Sequence, residues 1–175
     1  MFTFSESPVP VRNDIPESFR YLWGEIARPG PSLTAHQRRT VLTTARESAA
    51  VPPTNVDLPR VLLELARTLS TKPTIVDGDL VSRASNDAGY PATVEVIALI
   101  AMLAAVDGFH RALGVDLEQL PDPRTGEPTG RIVEGLTPRR THVPMPRGAI
   151  PAALDLLPDV GATYRSLFGP LYMTM

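Results

Sequence analysis

The chain has no cysteine among its 175 residues. This absence excludes disulfides, thiolate metal sites and thiol nucleophiles. It also fits a reducing compartment, so we expect a cytoplasmic protein. Lysine occurs once, as Lys72, and the formal net charge is −2. The sequence therefore lacks the clustered positive charge of nucleic-acid-binding proteins, and we expect no nucleic-acid partner.

Segments that enter membranes are missing as well. The longest apolar stretch without a charge lies between Glu95 and Asp107, which is too short to span the hydrocarbon core of a bilayer. The first residues contain neither the basic nor the apolar segment of a signal peptide. We therefore expect no membrane association.

What the sequence does contain is helical periodicity interrupted by proline and glycine. No segment shows the alternation typical of a strand, so the predicted fold class is all-α. Helix starts and stops place the helices at residues 14–30, 34–49, 57–69, 74–88, 91–113, 150–157 and 161–168. Gln37 is placed to form a capping box with Thr34, Asp57 is the predicted N-cap of the third helix, and residues 51–55 are a predicted break. The fifth of these is apolar on almost every side, which predicts a position at the centre of a bundle or across an oligomer interface.

Composition divides the chain into four parts: an extended N-terminal arm (1–13), a helical domain (14–114), a Pro/Gly-rich linker (115–149) and a short helical tail (150–175). A linker of this length is unusual inside a compact domain, and we expect it to wrap over a neighbouring surface. The apolar residues of the tail also need a place to be buried. We therefore expect the linker and tail to clasp a neighbouring subunit.

A six-residue pattern occurs twice in the chain. Phe19–Gly24 and Tyr164–Gly169 both read aromatic, Arg, any residue, Leu, aromatic, Gly. Two amphipathic helix ends could share this pattern by coincidence. Alternatively, the tail is the start of a second repeat that begins near Ile150.

Several of these segments together resemble the carboxymuconolactone decarboxylase and alkylhydroperoxidase D-like superfamily. The resemblance covers residues 15–114, and the tail is similar to the start of the second repeat found in longer members. It implies an all-helical bundle that forms homo-oligomers through its core hairpin. The residues that carry it are Arg28-Pro29-Gly30 after the aromatic helix, the helix opening Leu33-Thr34-Ala35-His36-Gln37-Arg38-Arg39, and Ala88-Gly89 before the long apolar helix.

In the peroxidase branch of this superfamily, a Cys-x-x-Cys-x-x-x-His motif lies on the helix before the Ala-Gly turn. The helix dipole stabilises the first thiolate there, and the second cysteine resolves the sulfenic acid. Counted back from Ala88-Gly89, the resemblance places this motif at Thr74, Asp77 and Val81. None of the three matches, so cysteine-based peroxidase chemistry is excluded. Thr74 and Asp77 instead have the spacing of an N-cap residue and an acidic residue at N3.

Three histidines are the remaining candidates for acid–base chemistry. His36 opens the second helix and His142 lies in the linker, and both are predicted to be exposed. Asp107 precedes His110 by three residues and can share its helix face. This pair could orient the imidazole as a general base, or it could mark the wetter end of a core helix. No spacing supplies three convergent metal ligands, so we predict neither a metal nor a cofactor.

Three hypotheses about function remain open. The first is a catalytically degenerate alkylhydroperoxidase D-like protein, an oligomer that binds a small ligand or has a structural role. The second is a cysteine-independent carboxymuconolactone decarboxylase-like enzyme that uses His110 with Asp107, and Arg111 for an anionic substrate. The third is a fragment, or one member of a hetero-oligomer whose partner carries the thiols.

Overall fold

The computed structural model of the chain describes residues 1–47, 57–136, 142–143 and 153–171. Within these ranges the protein is all-helical and contains no strand, which confirms the predicted fold class. Short 3₁₀ turns at Pro73–Ile75 and Ala153–Leu156 precede the last two helices. The helices are α1 (Asp14–Ile26), α2 (Ala35–Arg46), α3 (Arg60–Thr71), α4 (Gly78–Leu113) and α5 (Pro158–Leu171).

Among the helix starts, that of α2 agrees closely with the prediction from the sequence. The Thr34 side chain accepts a hydrogen bond from the backbone N–H of Gln37, and the Gln37 side chain accepts one from the backbone N–H of Thr34. This reciprocal pair is the predicted capping box, which satisfies two N–H groups that lack partners within the helix. The helix ends at Arg46 with Glu47 as its C-cap, which is earlier than the predicted end at residue 49. The predicted break at 51–55 lies outside the described residues.

The starts of α3 and α4 differ from the prediction. Asp57 is not the N-cap of α3, which begins at Arg60 after Pro59, because a proline disfavours helical geometry in the residue before it. Thr74 is not the N-cap of the fourth helix either, because it lies inside the 3₁₀ turn. Asp77 is the N-cap there, and its carboxylate accepts from the backbone N–H of Leu80 at 2.9 Å.

The predicted break after Ala88 is present inside α4. Gly89 has φ 81° and ψ 156°, whereas the helix continues on both sides of it. This region of backbone conformation is open almost only to glycine. Residues 78–88 and 90–113 are therefore two helical segments joined at one glycine.

The second segment of α4 forms the centre of the bundle. The whole of α4 packs against α2, α3 and α5. Of the two predicted positions, the centre of a bundle therefore describes this helix. As a whole, α4 is long and apolar enough to cross a membrane by length and composition, but most of its most apolar stretch is buried inside the chain. The buried apolar side chains of the second segment are Ala92, Val94, Val96, Ala98, Leu99, Ile100, Met102, Leu103 and Val106.

The described part of the linker, residues 115–136, runs along the helices of its own chain. Trp23 Nε1 donates to the carbonyl oxygen of Gln119 at 2.7 Å. The backbone N–H of Arg124 donates to Ala27 at 2.7 Å, and that of Thr129 donates to Gly30 at 2.9 Å. This segment therefore covers the end of α1 and the turn that follows it.

The tail is buried by the same chain. Leu156, Leu157 and Leu167 belong to the common core, and α5 packs against α1. The two helices that carry the repeated six-residue pattern are thus in contact. The apolar residues of the tail are accounted for without a neighbouring subunit, although residues 137–141, 144–152 and 172–175 lie outside the described part.

The break at Gly89 leads to a stability prediction. Gly89→Ala should lower the free energy of unfolding by about 1–3 kcal/mol, because alanine is strained at this backbone conformation. Gly108→Ala, at an exposed glycine of the same helix with open space around it, is the control and should stabilise by about 0.5–1 kcal/mol. Urea unfolding followed by circular dichroism measures both, and equal stability of the two variants would contradict the strained geometry.

Candidate functional site

The two candidate catalytic residues, Asp107 and His110, lie near the C-terminal end of α4, and both are buried. The Asp107 carboxylate accepts hydrogen bonds from Arg46 of α2, with 3.0 Å from Nε to Oδ2 and 2.6 Å from Nη2 to Oδ1. Nη2 of Arg111 lies 3.9 Å from Oδ2. Since the contact with Arg46 uses both carboxylate oxygens, Asp107 is bound to Arg46 rather than to the imidazole.

The His110 imidazole is 2% exposed. Its Nδ1 lies 2.8 Å from the carbonyl oxygen of Val106, one helical turn earlier. Because a carbonyl oxygen only accepts, Nδ1 carries the hydrogen. Aromatic rings surround the rest of the imidazole, with centroid distances of 5.7, 4.9 and 6.2 Å to Phe2, Phe4 and Phe19. The predicted pair thus shares one helical turn, but its two groups have separate hydrogen-bond partners.

The N-terminal arm reaches this end of α4, which the sequence analysis did not predict. Phe2 is 1% exposed, and its backbone N–H donates to Glu118 Oε2 at 2.9 Å. Phe2 and Phe4 have positive φ angles of 52° and 48°, a conformation that is costly for residues other than glycine. Packing against the aromatic side chains must therefore offset that cost. A segment with two aromatic residues and no period carries no signal for such packing.

A cavity of about 230 Å³ lies between the arm and the residues that follow α4. His110 lines it, together with the Phe2 and Phe4 rings. The other lining residues are Thr3, Ser5, Glu6, Val115, Asp116 and Glu118.

The remaining predicted positions do not converge on a site. Thr74 and Asp77 are exposed, whereas Val81 is buried in the core. His36 and His142 are both exposed, as predicted. Among the residues with described positions, no group of three or more His, Asp or Glu side chains could hold a metal ion.

A second buried ion pair joins α2 to α4, and the sequence analysis missed it. Arg38 is 5% exposed and Glu95 is fully buried, with 3.2 Å between Arg38 Nε and Glu95 Oε1. Nη1 of Arg38 also donates to the carbonyl oxygens of Glu25 and Arg28, at 2.8 and 2.7 Å. Oε2 of Glu95 accepts from the backbone N–H of Ser32 at 2.8 Å.

The physical signal for this pair was present in the sequence. Glu95 interrupts an otherwise apolar helix, and a buried charge needs a partner of opposite sign. Burial raises the pKa of the Glu95 carboxyl, and the nearby Arg38 opposes that change. Burial likewise lowers the pKa of the Arg38 guanidinium. The sequence did not show which of the several arginines would meet Glu95, because the answer depends on how α2 packs against α4.

A cleft of about 300 Å³ opens beside Arg38, between the end of α1, the turn after it and α5. Its apolar lining includes Pro31, Met102 and Val160, and its hydroxyl groups are those of Tyr21, Thr129 and Thr163. Its charged side chains are Glu25, Arg28, Arg38 and Asp159.

Each charge at this cleft has a counter-ion within the chain. The Glu25 carboxylate lies 2.8 Å from Arg28, and the Asp159 carboxylate lies 3.2 Å from Arg131. Arg38 is paired with Glu95, as described above. The cleft therefore combines an apolar floor with hydroxyl groups and internally balanced charges.

The Arg38–Glu95 pair depends on a glycine opposite the carboxylate. A Cβ atom added at Gly30 would overlap Oε1 of Glu95. Gly30→Ala should therefore disrupt the pair and lower the free energy of unfolding by about 3 kcal/mol or more. Gly24→Ala, which adds the same methyl group in open space on α1, should be neutral or slightly stabilising. Thermal unfolding compares the two variants, and a Gly30→Ala protein as stable as the control would disprove this dependence.

The role of Asp107 can be measured in the same way. Asp107→Asn should lower the free energy of unfolding by about 3–5 kcal/mol, because it leaves the largely buried Arg46 without its counter-charge. Arg111→Gln removes the longer, exposed contact to the same carboxylate. It should therefore change the free energy of unfolding by no more than about 1 kcal/mol. Denaturant unfolding of both variants tests this, and a large loss in Arg111→Gln alone would contradict it.

Comparisons with protein-family models, with curated proteins and with solved structures give no match to this chain. The likeness to the carboxymuconolactone decarboxylase and alkylhydroperoxidase D-like superfamily therefore rests on the residues quoted above. It is taken up below as a proposal.

Proposed function

We propose that this chain is an alkylhydroperoxidase D-like protein without thiol chemistry, and that it acts by binding a small molecule in the cleft beside Arg38. The cleft itself is the observation that carries the proposal. Two further features support the family likeness: the all-helical bundle, and the glycine break ahead of the long apolar helix. Peroxidase chemistry of the superfamily type needs cysteine, which the chain lacks.

The lining of the cleft favours a small neutral ligand. Its volume of about 300 Å³ is at the lower end of the range for small-molecule sites, which combine apolar walls with a few polar groups. Pro29 and Ala162 supply apolar surface, and the hydroxyl groups of Tyr21 and Thr129 supply hydrogen-bond donors and acceptors. Since every charge there is already paired, a charged ligand would have to compete with an existing ion pair.

The alternative, a decarboxylase-like enzyme based on His110 and Asp107, is not favoured by the geometry. That hypothesis makes Asp107 the group that orients the imidazole of His110. Asp107 is bound to Arg46 and His110 to a backbone carbonyl.

A homo-oligomeric state and a cytoplasmic location remain predictions. Several apolar side chains are exposed on the single chain, among them Tyr21, Ile75, Ile132 and Val133. Light scattering coupled to size exclusion measures the oligomeric state directly.

Blocking the cleft tests the proposed function. Benzamide is a suitable probe because it is small, neutral and able to form hydrogen bonds. Titration of the ¹⁵N-labelled protein with benzamide should shift amide resonances around the cleft. Ala162→Trp places a large side chain at an exposed cleft position on α5 and should weaken benzamide binding at least tenfold.

Ala104→Trp is the matched control, because it makes the same change at an exposed position of α4 that does not line the cleft. It should bind benzamide like the unmodified chain. Absence of binding by the unmodified chain, or equal loss in both variants, would overturn the proposal.

A further inference from the structure

We propose a second binding site, for a small organic ammonium ion, in the cavity of about 230 Å³ beneath the N-terminal arm. This site is separate from the cleft beside Arg38 and differs from it in charge. The proposal rests on the carboxylates at the cavity, on one ring nitrogen of His110 and on the aromatic walls.

Negative charge dominates the lining of the cavity. Glu6, Asp116 and Glu118 line it, and none of the described lining residues is an arginine or a lysine. The amino group of Met1 lies 3.5 Å from Oε1 of Glu118. Nη1 of Arg46, close by, donates to the backbone carbonyl of Glu118 and not to its carboxylate. The carboxylates of Glu6 and Asp116 take part in no ion pair among the described residues, whereas Glu118 is paired with the amino group of Met1.

His110 supplies an observation that is independent of the acidic side chains. Its Nδ1 is used by the carbonyl of Val106, so in the neutral ring Nε2 carries the lone pair and can only accept. His110 is almost completely buried and lines the cavity, and no hydrogen bond to Nε2 is present among the described residues. Because His110 lines the cavity, this acceptor can receive a donor from a ligand there, such as an ammonium N–H.

The walls of the cavity suit an organic cation better than a bare metal ion. Phe2 and Phe4 line it, and aromatic faces attract ammonium groups by cation–π interaction while they also cover apolar carbon. Glu118 accepts from the backbone N–H of Phe2 and pairs with the amino group of Met1, and the remaining lone pairs of its carboxylate can still accept a further N–H donor. An organic ammonium ion can place its N–H groups near Glu118 and Nε2 of His110 and its carbon portion against the Phe2 and Phe4 rings. It thus meets both the hydrogen-bond acceptors and the apolar walls of the cavity.

The test uses 2-phenylethylammonium as the probe and 2-phenylethanol as its neutral counterpart. The chain has three histidines, so the imidazole Cε1–H resonances of ¹³C-labelled protein give a readout specific to His110, assigned with His110→Phe. The ammonium probe should shift the His110 resonance and leave those of His36 and His142 unchanged. The alcohol should bind at least tenfold more weakly.

Two substitutions at the cavity, compared with one control substitution outside it, then locate the site. Asp116→Asn changes an exposed residue that takes part in no ion pair among the described residues, so the fold should be unaffected and the affinity should fall about threefold or more. Asp87→Asn, at an exposed position of α4 outside the cavity, is the matched control and should leave the affinity unchanged. Glu118→Gln should weaken binding at least tenfold.

The outcomes are distinct from those of the cleft experiment, because the probes and the responding residues differ. Binding of the ammonium probe that is lost in Asp116→Asn and Glu118→Gln but kept in Asp87→Asn supports the site. The proposal is overturned if the His110 resonance does not move, if the alcohol binds equally well, or if Asp116→Asn and Asp87→Asn behave alike.

Discussion

The packing of α2 on α4 depends on two buried ion pairs. Arg38 meets Glu95, and Arg46 meets Asp107. The pairs occur in the same order along both helices, so α2 and the second segment of α4 run in the same direction. A buried charge without its partner costs several kcal/mol, so any other alignment of these two helices would leave charges unpaired in the core. The apolar surfaces supply most of the burial, whereas the ion pairs select one alignment.

This constraint also decides what the end of α4 can do chemically. Asp107 is the carboxylate closest in sequence to His110, and the two suggest a catalytic dyad when only the sequence is considered. Arg46 donates hydrogen bonds to both oxygens of that carboxylate. The imidazole is hydrogen-bonded instead to the carbonyl oxygen of Val106 in its own helix. The residues of the supposed dyad are thus divided between a structural ion pair and an aromatic cluster. The space beside these groups remains available for function, and it includes one cleft with paired charges and one acidic cavity.

Chain segments that carry little periodicity close one side of each space. The linker closes one side of the cleft through the backbone hydrogen bond from Thr129 to Gly30, and the arm closes the cavity by inserting Phe2 between Phe19 and Trp23. Sequence reasoning treated the arm as extended and the linker as a wrap around another surface. Neither segment has a hydrophobic repeat that would point to its docking position, because its contacts are made by single side chains and by backbone groups.

The sequence by itself determined the helical class, the capping box at Thr34, the break at Gly89 and the absence of thiol chemistry. Each of these follows from local rules: helical periodicity, the hydrogen bonds of a helix N-terminus, the conformational freedom of glycine and the presence or absence of sulfur. Only the tertiary structure decided which arginine meets Glu95, that Asp107 binds Arg46, and that the arm covers His110. These contacts join residues far apart in the chain, and they depend on helix packing and loop paths that local sequence does not specify.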